Sequence, residues 1–113
     1  MSQSYKQLTQ ELSTSIGGIR NDIPDVMKGF SVMAGAALED GALSKKTKEL
    51  IALSIGVSGH CKGCIGFHVK ALIALGITRE ELAEALGMAI YMGGGPSLMY
   101  AAEAMQAFEE FSG

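Results

Sequence analysis

Apolar residues recur every three or four positions along nearly the whole chain, which is the spacing of amphipathic helices. No segment shows the sustained alternation of a half-buried strand. The pattern therefore predicts an all-α protein, a compact bundle of about six helices. The predicted helices cover about 3–20, 24–38, 45–57, 60–75, 79–92 and 97–111.

Turn and capping residues set the expected ends of these helices. Asn21–Pro24 is typical of a turn, and Pro24 suits the first turn of the second helix. Ser44 is a candidate N-cap, and Thr78 with Glu81 forms a capping box at the fifth helix. A break is expected at Gly56–Gly59, and a further turn at Gly93–Pro96 ends the fifth helix.

Composition and charge narrow the class of protein. The chain has 113 residues, which fits a single domain over 1–113. Nine basic against twelve acidic residues give a net charge of −3, so no basic footprint for nucleic acid is present. Apolar residues make up 48% and aromatic residues 6%. Because the chain is both short and apolar, we expect part of its surface to be buried between subunits.

The sequence also predicts a cytoplasmic protein. Two cysteines exclude a disulfide-dense secreted scaffold, and the polar N-terminus lacks the apolar stretch of a signal peptide. Residues 85–102 carry no charge and approach the length of a membrane span. Because Gly93–Pro96 interrupts this stretch, we expect two buried helices there and no membrane contact.

The chemistry is concentrated in residues 58–68, which hold both cysteines and both histidines of the chain. On one helix at about 100° per residue, Cys61, Cys64 and His68 would share a face. His68 is four residues from Cys64 and could exchange a proton with its thiol. Cysteines in the first helical turn have favoured thiolates, so the segment predicts a redox-active dithiol.

Zinc binding, haem attachment and an inert cysteine pair are alternative interpretations of this segment. A structural zinc site needs four ligands. His60 would have to be the fourth, but on a helix its side chain would point about 100° away from that of Cys61. Attachment of haem c requires His directly after the second cysteine, where Ile65 stands. The sequence is also compatible with an inert, buried cysteine pair. We expect no metal or cofactor, and the glycines at 93–95 lack the Lys-Ser/Thr of a phosphate-binding loop.

The spacing Glu49-x11-Cys61-x2-Cys64-x3-His68 resembles alkylhydroperoxidase D and the thiol-bearing members of the carboxymuconolactone decarboxylase family. The similarity extends over about 25–110, including the helix entry Gly76–Leu82. It implies an all-helical fold that assembles into trimers or hexamers. It also implies reduction of hydroperoxides, with electrons from a dithiol, lipoyl-bearing or thioredoxin-like partner.

The resemblance assigns roles to individual residues. Cys64 would be the attacking thiolate, His68 its proton partner, and Cys61 the resolving thiol. Glu49 would join the proton relay, which requires the chain break before Cys61 to fold it back toward the site. His60 is an auxiliary candidate, because some relatives carry a second His inside the motif where this chain has Gly63.

Two other functions compete with the peroxidase. The family name suggests decarboxylation of a carboxymuconolactone-like lactone, although the intact dithiol argues against that branch. A non-enzymatic redox sensor or oligomeric interaction module would use the same reactive pair. The sequence does not separate a slow peroxidase from such a sensor.

Overall fold

The computed structural model describes residues 4–113, which fold into six α-helices without any strand. This confirms the predicted all-α class and the number of helices. The helices are α1 (Tyr5–Asp22), α2 (Pro24–Leu38), α3 (Lys45–Ser58), α4 (Lys62–Ala74), α5 (Arg79–Gly93) and α6 (Gly95–Ser112). Residue 3, the predicted start of the first helix, lies outside the described residues.

Side-chain caps explain where three of the helices begin. Ser4 accepts a hydrogen bond from the backbone of Gln7, and Ser44 accepts one from Thr47. The predicted capping box is confirmed, because Thr78 and Glu81 each accept a hydrogen bond from the other's backbone N–H. These bonds satisfy amide groups that have no partner inside their helix.

Two predicted turns are shorter in the structure. Ile23 alone separates α1 from α2, so Asn21 and Asp22 are helical and the predicted extent of that turn was wrong. Gly94 alone separates α5 from α6, with a φ of 76° that favours glycine. Pro96 lies in the first turn of α6, where its missing N–H removes no helical hydrogen bond.

The uncharged stretch over 85–102 is divided between α5 and α6. Gly94, with its left-handed φ, separates the two helices in the middle of this stretch. None of the helices described for residues 4–113 has the length and hydropathy needed to cross a membrane.

Helix α4 packs against α1, α3 and α6. Its buried positions include Ile65, Val69 and Leu72. The facing side of α6 buries small residues, Ala101 and Ala104 among them, so the two helices can approach closely. Packing against α6 therefore holds α4 in place while it also contacts α3.

Helix α2 is different, because none of its residues is buried. Among the helices described for residues 4–113, it contacts only α1 and α3, yet its sequence is apolar. Val26, Phe30, Val32 and Met33 are each about 60% exposed. An isolated helix of 15 residues is only marginally stable in water. An exposed apolar surface of this size is also unusual.

Candidate redox site between helices α3 and α4

Helices α3 and α4 form a hairpin, and they pack closely against each other at Gly56. A Cβ atom built on Gly56 would lie 2.9 Å from the Cβ atom of Cys64. Gly56 is buried inside α3, so the break predicted to begin there was placed too early. The chain leaves the helix only at Gly59–Cys61, because Gly56 is used for helix packing and not for a turn.

Cys61 and Cys64 form a disulfide with Cα atoms 5.2 Å apart. Cys64 lies in the first turn of α4, as expected. Cys61 does not, because it is the N-cap residue with an extended backbone (φ −106°, ψ 94°). The Sγ atom of Cys61 accepts a hydrogen bond of 3.2 Å from the backbone N–H of Cys64. Both sulfur atoms therefore lie at the positive end of the α4 dipole, which favours thiolate.

Glu49 meets His68 across the hairpin. The carboxylate oxygen Oε1 of Glu49 is 2.6 Å from Nδ1 of His68. The Glu49 side chain is only 5% exposed, while that of His68 is 30% exposed. With the carboxylate as acceptor, Nδ1–H of His68 is the donor in this contact, and in the neutral form of the ring Nε2 can then accept a proton.

The disulfide and His68 open onto one cavity of about 410 Å³. Its remaining wall consists of small or apolar residues. They are Ala52, Ile55, Gly56 and Gly59. Glu49 orients His68 from the protein side, so the cavity has a sulfur pair, one imidazole and an otherwise apolar lining.

His60 is not among the residues that line this cavity. Its ring stacks on Tyr100 of α6, with centroids 4.8 Å apart and planes inclined by 4°. Tyr100 thus contacts the site segment through its ring. Tyr91, the tyrosine on the other side of the Gly93–Pro96 segment, is 77% exposed. The sequence identified His60 but carried no signal for its partner, since 40 positions separate them.

A polar cluster supports the start of α4 from the other side. Lys62, the first residue of α4, lies 3.2 Å from Oε1 of Glu103. The same oxygen accepts a 2.7 Å hydrogen bond from the hydroxyl of buried Tyr5. Burial, followed by the hydrogen bond to Glu103, raises the pKa of Tyr5 well above its usual range. This cluster ties α1, α4 and α6 together beside the disulfide.

The site combines a disulfide-bonded cysteine pair with a hydrogen-bonded carboxylate–imidazole pair. Within residues 4–113, no group of three or more His, Cys, Asp or Glu side chains is arranged to hold a metal ion. Helical spacing predicted that Cys61, Cys64 and His68 lie together, the family resemblance added Glu49, and the structure brings the same four residues together. Sequence reasoning missed Gly56, whose missing side chain lets the two helices meet.

Comparisons with known proteins agree on one family. The model of the carboxymuconolactone decarboxylase family matches residues 24–107. An apo crystal structure of a carboxymuconolactone decarboxylase family protein from Legionella pneumophila is 58% identical, with a TM-score of 0.95 over 96% of this chain and 97% of that one.

Two curated relatives cover most of the chain without a described activity. An uncharacterised protein of Cupriavidus necator is 37% identical over 96% of both chains. An uncharacterised protein encoded in the cox locus of Paracoccus denitrificans is 31% identical over 89% of this chain and 91% of that protein. On the matched length, the shared fold and the CxxC pair, this chain belongs to the carboxymuconolactone decarboxylase family.

Proposed function

We propose that the protein is a thiol-dependent antioxidant oxidoreductase that reduces hydroperoxides through Cys61 and Cys64. The observation that carries the proposal is the shared cavity, onto which both the disulfide and the Glu49-bound His68 open. A dithiol used only for stability has no need of an oriented imidazole beside it. A peroxidatic dithiol needs one to move protons.

The first step oxidises Cys64. Nε2 of His68 takes the thiol proton, and the Cys64 thiolate attacks the distal oxygen of ROOH. The O–O bond breaks, an S–O bond forms, and the imidazolium returns its proton to the leaving alkoxide. The products are a Cys64 sulfenic acid, ROH and neutral His68. The dipole of α4 stabilises the thiolate, and Glu49 stabilises the imidazolium formed in between.

The second step closes the disulfide. The thiol of Cys61 attacks the sulfenic sulfur of Cys64, and water leaves. The disulfide is the state found in the structure. A dithiol reductant then attacks it, so that two electrons and two protons restore both thiols and the reductant becomes a disulfide. The hydrogen bond from the Cys64 N–H to Sγ of Cys61 stabilises Cys61 as a leaving thiolate.

The partners of the cycle belong to the same proposal. The apolar wall of the cavity suits an organic hydroperoxide or the apolar arm of a lipoyl group, and a thioredoxin-like protein is the other reductant class. A cytoplasmic location is proposed with it, since the cycle needs a compartment that supplies reduced dithiols. Neither nucleic acid nor a membrane is a proposed partner.

Assembly into a homotrimer or homohexamer is also proposed. It is supported by the exposed apolar face of α2 and by a second apolar surface between α3 and α5. That surface forms a groove of about 680 Å³ whose lining includes Ile51, Ile55, Met88 and Met92. Burying both in contacts between copies would remove large apolar areas from water.

One experiment tests the central claim. The protein is reduced, freed of reductant and treated with one equivalent of cumene hydroperoxide, and free thiols are counted before and after. Loss of two thiols per chain, with a Cys61–Cys64 linkage in the peptide mass spectrum, is expected. Sustained consumption of peroxide with dihydrolipoamide completes the test.

Other outcomes would redirect the assignment. Two thiols that stay unreacted would overturn the peroxidase and indicate a structural pair. A disulfide that forms once without turnover would favour a redox sensor. Lactone decarboxylation that survives loss of both cysteines would favour the decarboxylase branch instead.

A further inference from the structure

The three residues between α3 and α4 form a helix-ending motif that is normally built around glycine. The N–H of His60 donates to the carbonyl of Val57 at 3.1 Å, and the N–H of Cys61 donates to that of Gly56 at 2.9 Å. This pair of bonds is the Schellman motif, in which the first residue past the cap is left-handed. Here that residue is His60, with a φ of 57°.

A histidine at this position is unfavourable compared with glycine. Its Cβ atom crowds the backbone in the left-handed region. Within residues 4–113, His60 is the only non-glycine residue with a positive φ. Such an outlier persists only where its surroundings hold it, and it is a reason to look for a function.

The stacking with Tyr100 is what holds it. The two rings are nearly parallel, and Tyr100 is half-buried on α6 against the core. A glycine would satisfy the backbone equally well but would leave the segment unattached to α6. The side chain of His60 therefore links the α3–α4 connection to α6, which packs beside it.

This link acts directly on Cys61, the next residue. The Cys61 N–H is bonded to Gly56 at the end of α3, and its carbonyl accepts from Ile65 within α4 at 3.0 Å. Its Sγ atom accepts from the Cys64 N–H. Cys61 thus ends one helix and caps the next, and its sulfur position follows from the backbone angles that His60 sets.

We infer that His60 and Tyr100 are a positioning pair that holds Cys61 in place to close the disulfide with Cys64, and that their stacking sets the reduction potential of this couple. The inference rests on the proposed redox function. Neither side chain has to touch the peroxide. Their role is to keep the Cys61 sulfur near Cys64 in the reduced state, so that ring closure is favoured.

The effect can be written as an equilibrium with dithiothreitol. The protein disulfide and reduced dithiothreitol exchange two electrons and two protons, giving two protein thiols and cyclic oxidised dithiothreitol. Loosening Cys61 in the dithiol form makes closure less favourable. We expect about a tenfold shift of this equilibrium toward the protein dithiol, which corresponds to ~30 mV for a two-electron couple.

The test measures this equilibrium by alkylation and mass spectrometry in dithiothreitol buffers of graded ratio. Tyr100→Leu removes the stacked ring, and His60→Asn removes the imidazole while keeping a residue that tolerates the left-handed backbone. Tyr100→Phe is the matched control, because it keeps the ring. We expect about tenfold shifts for the first two and less than twofold for the control.

The double variant sharpens the result. If the two residues act through their contact, His60→Asn with Tyr100→Leu should shift the equilibrium no further than either change alone. Equilibrium constants within twofold of wild type for both single variants would overturn the inference. Should Tyr100→Leu lose its helical circular dichroism, His60→Asn carries the same test. A wild-type pair that never exchanges with dithiothreitol would overturn the proposed function, and the inference with it.

Discussion

Glu49 and His68 are separated by 19 positions in the chain, yet Oε1 of one lies 2.6 Å from Nδ1 of the other. The α3–α4 hairpin places them opposite each other, with the carboxylate buried and the imidazole facing the cavity. A buried carboxylate needs such a partner, because an unpaired charge in the interior is strongly unfavourable. The hydrogen bond satisfies this carboxylate in the interior, and in the proposed mechanism it also orients the imidazole for proton transfer.

Replacing Glu49 should slow the chemistry without preventing disulfide formation. Glu49→Gln removes the anionic acceptor that fixes the His68 tautomer and stabilises the imidazolium. We expect the rate of Cys64 oxidation to fall about 100-fold, within the range for loss of general acid–base catalysis. Stopped-flow oxidation by cumene hydroperoxide measures it, with Glu84→Gln on the exposed side of α5 as control. If Cys64 in Glu49→Gln were oxidised at the wild-type rate, the Glu49 carboxylate would have no role in the mechanism.

The two cysteines should respond differently to substitution. Cys64→Ser is expected to abolish peroxide turnover, because the attacking sulfur is lost. Cys61→Ser should allow one oxidation per chain that stops at the sulfenic acid, detected with dimedone by mass spectrometry. The opposite pattern, with dimedone labelling of Cys61 in Cys64→Ser, would reverse the assigned roles.

Gly56 should tolerate no larger residue. In Gly56→Ala the new Cβ atom would meet the Cβ atom of Cys64 at 2.9 Å, so the helices must separate. We expect a loss of about 1–3 kcal/mol in the free energy of unfolding, as for other overpacked sites.

The matched control is Gly87→Ala on α5, where nothing lies within 4 Å of the added atom. This change should stabilise the protein by about 0.5–1 kcal/mol through helix propensity. Urea unfolding of both variants gives the comparison. If Gly56→Ala and Gly87→Ala had equal free energies of unfolding, the α3–α4 hairpin would accommodate a methyl group at position 56, contrary to the prediction.

Stability should fall at alkaline pH because of Tyr5. Burial and the hydrogen bond to Glu103 raise the pKa of Tyr5 above its ordinary value of 10.0, so the folded state holds the proton more tightly than the unfolded state. This contribution is complete below pH 10 and is lost as the pH rises above it. Between pH 10 and 11 the loss should be about 1 kcal/mol.

Tyr5→Phe lacks the titrating group and serves as the comparison. Its free energy of unfolding should change less than that of wild type over the same interval, as measured by urea titration. Parallel pH profiles for the two proteins would exclude Tyr5 as the source. All other residues are the same in the two proteins, so their contributions cancel in the difference.

The exposed face of α2 should control assembly. Phe30 is 59% exposed at the middle of this face, and Phe30→Glu would place a charge in any contact made there. We expect the mass measured by light scattering to fall from a trimer or hexamer to a smaller species. Gln106→Glu adds the same charge to an exposed position of α6 and should leave the mass unchanged. An unaltered mass for Phe30→Glu would place α2 outside the interface.

Much of the fold could be predicted because its signals are local. Helical periodicity, the Ser44 N-cap and the Thr78–Glu81 capping box each act within a few residues, and the structure contains all of them. The errors occurred where a residue serves a distant contact. Gly56 was interpreted as a helix breaker, but its small size is needed against Cys64. Cys61 was expected inside a helix, but the Schellman motif leaves it in extended backbone.

The sequence by itself determined the helices, the CxxC pair and its proximity to His68, because these follow from spacing along one continuous segment. The tertiary structure decided which distant groups meet that segment. Close packing of α3 on α4 brings Glu49 to His68, and packing of α6 brings Tyr100 to His60. Contacts between separate helices depend on how whole faces fit together, and the spacing of residues within one helix carries no record of that fit.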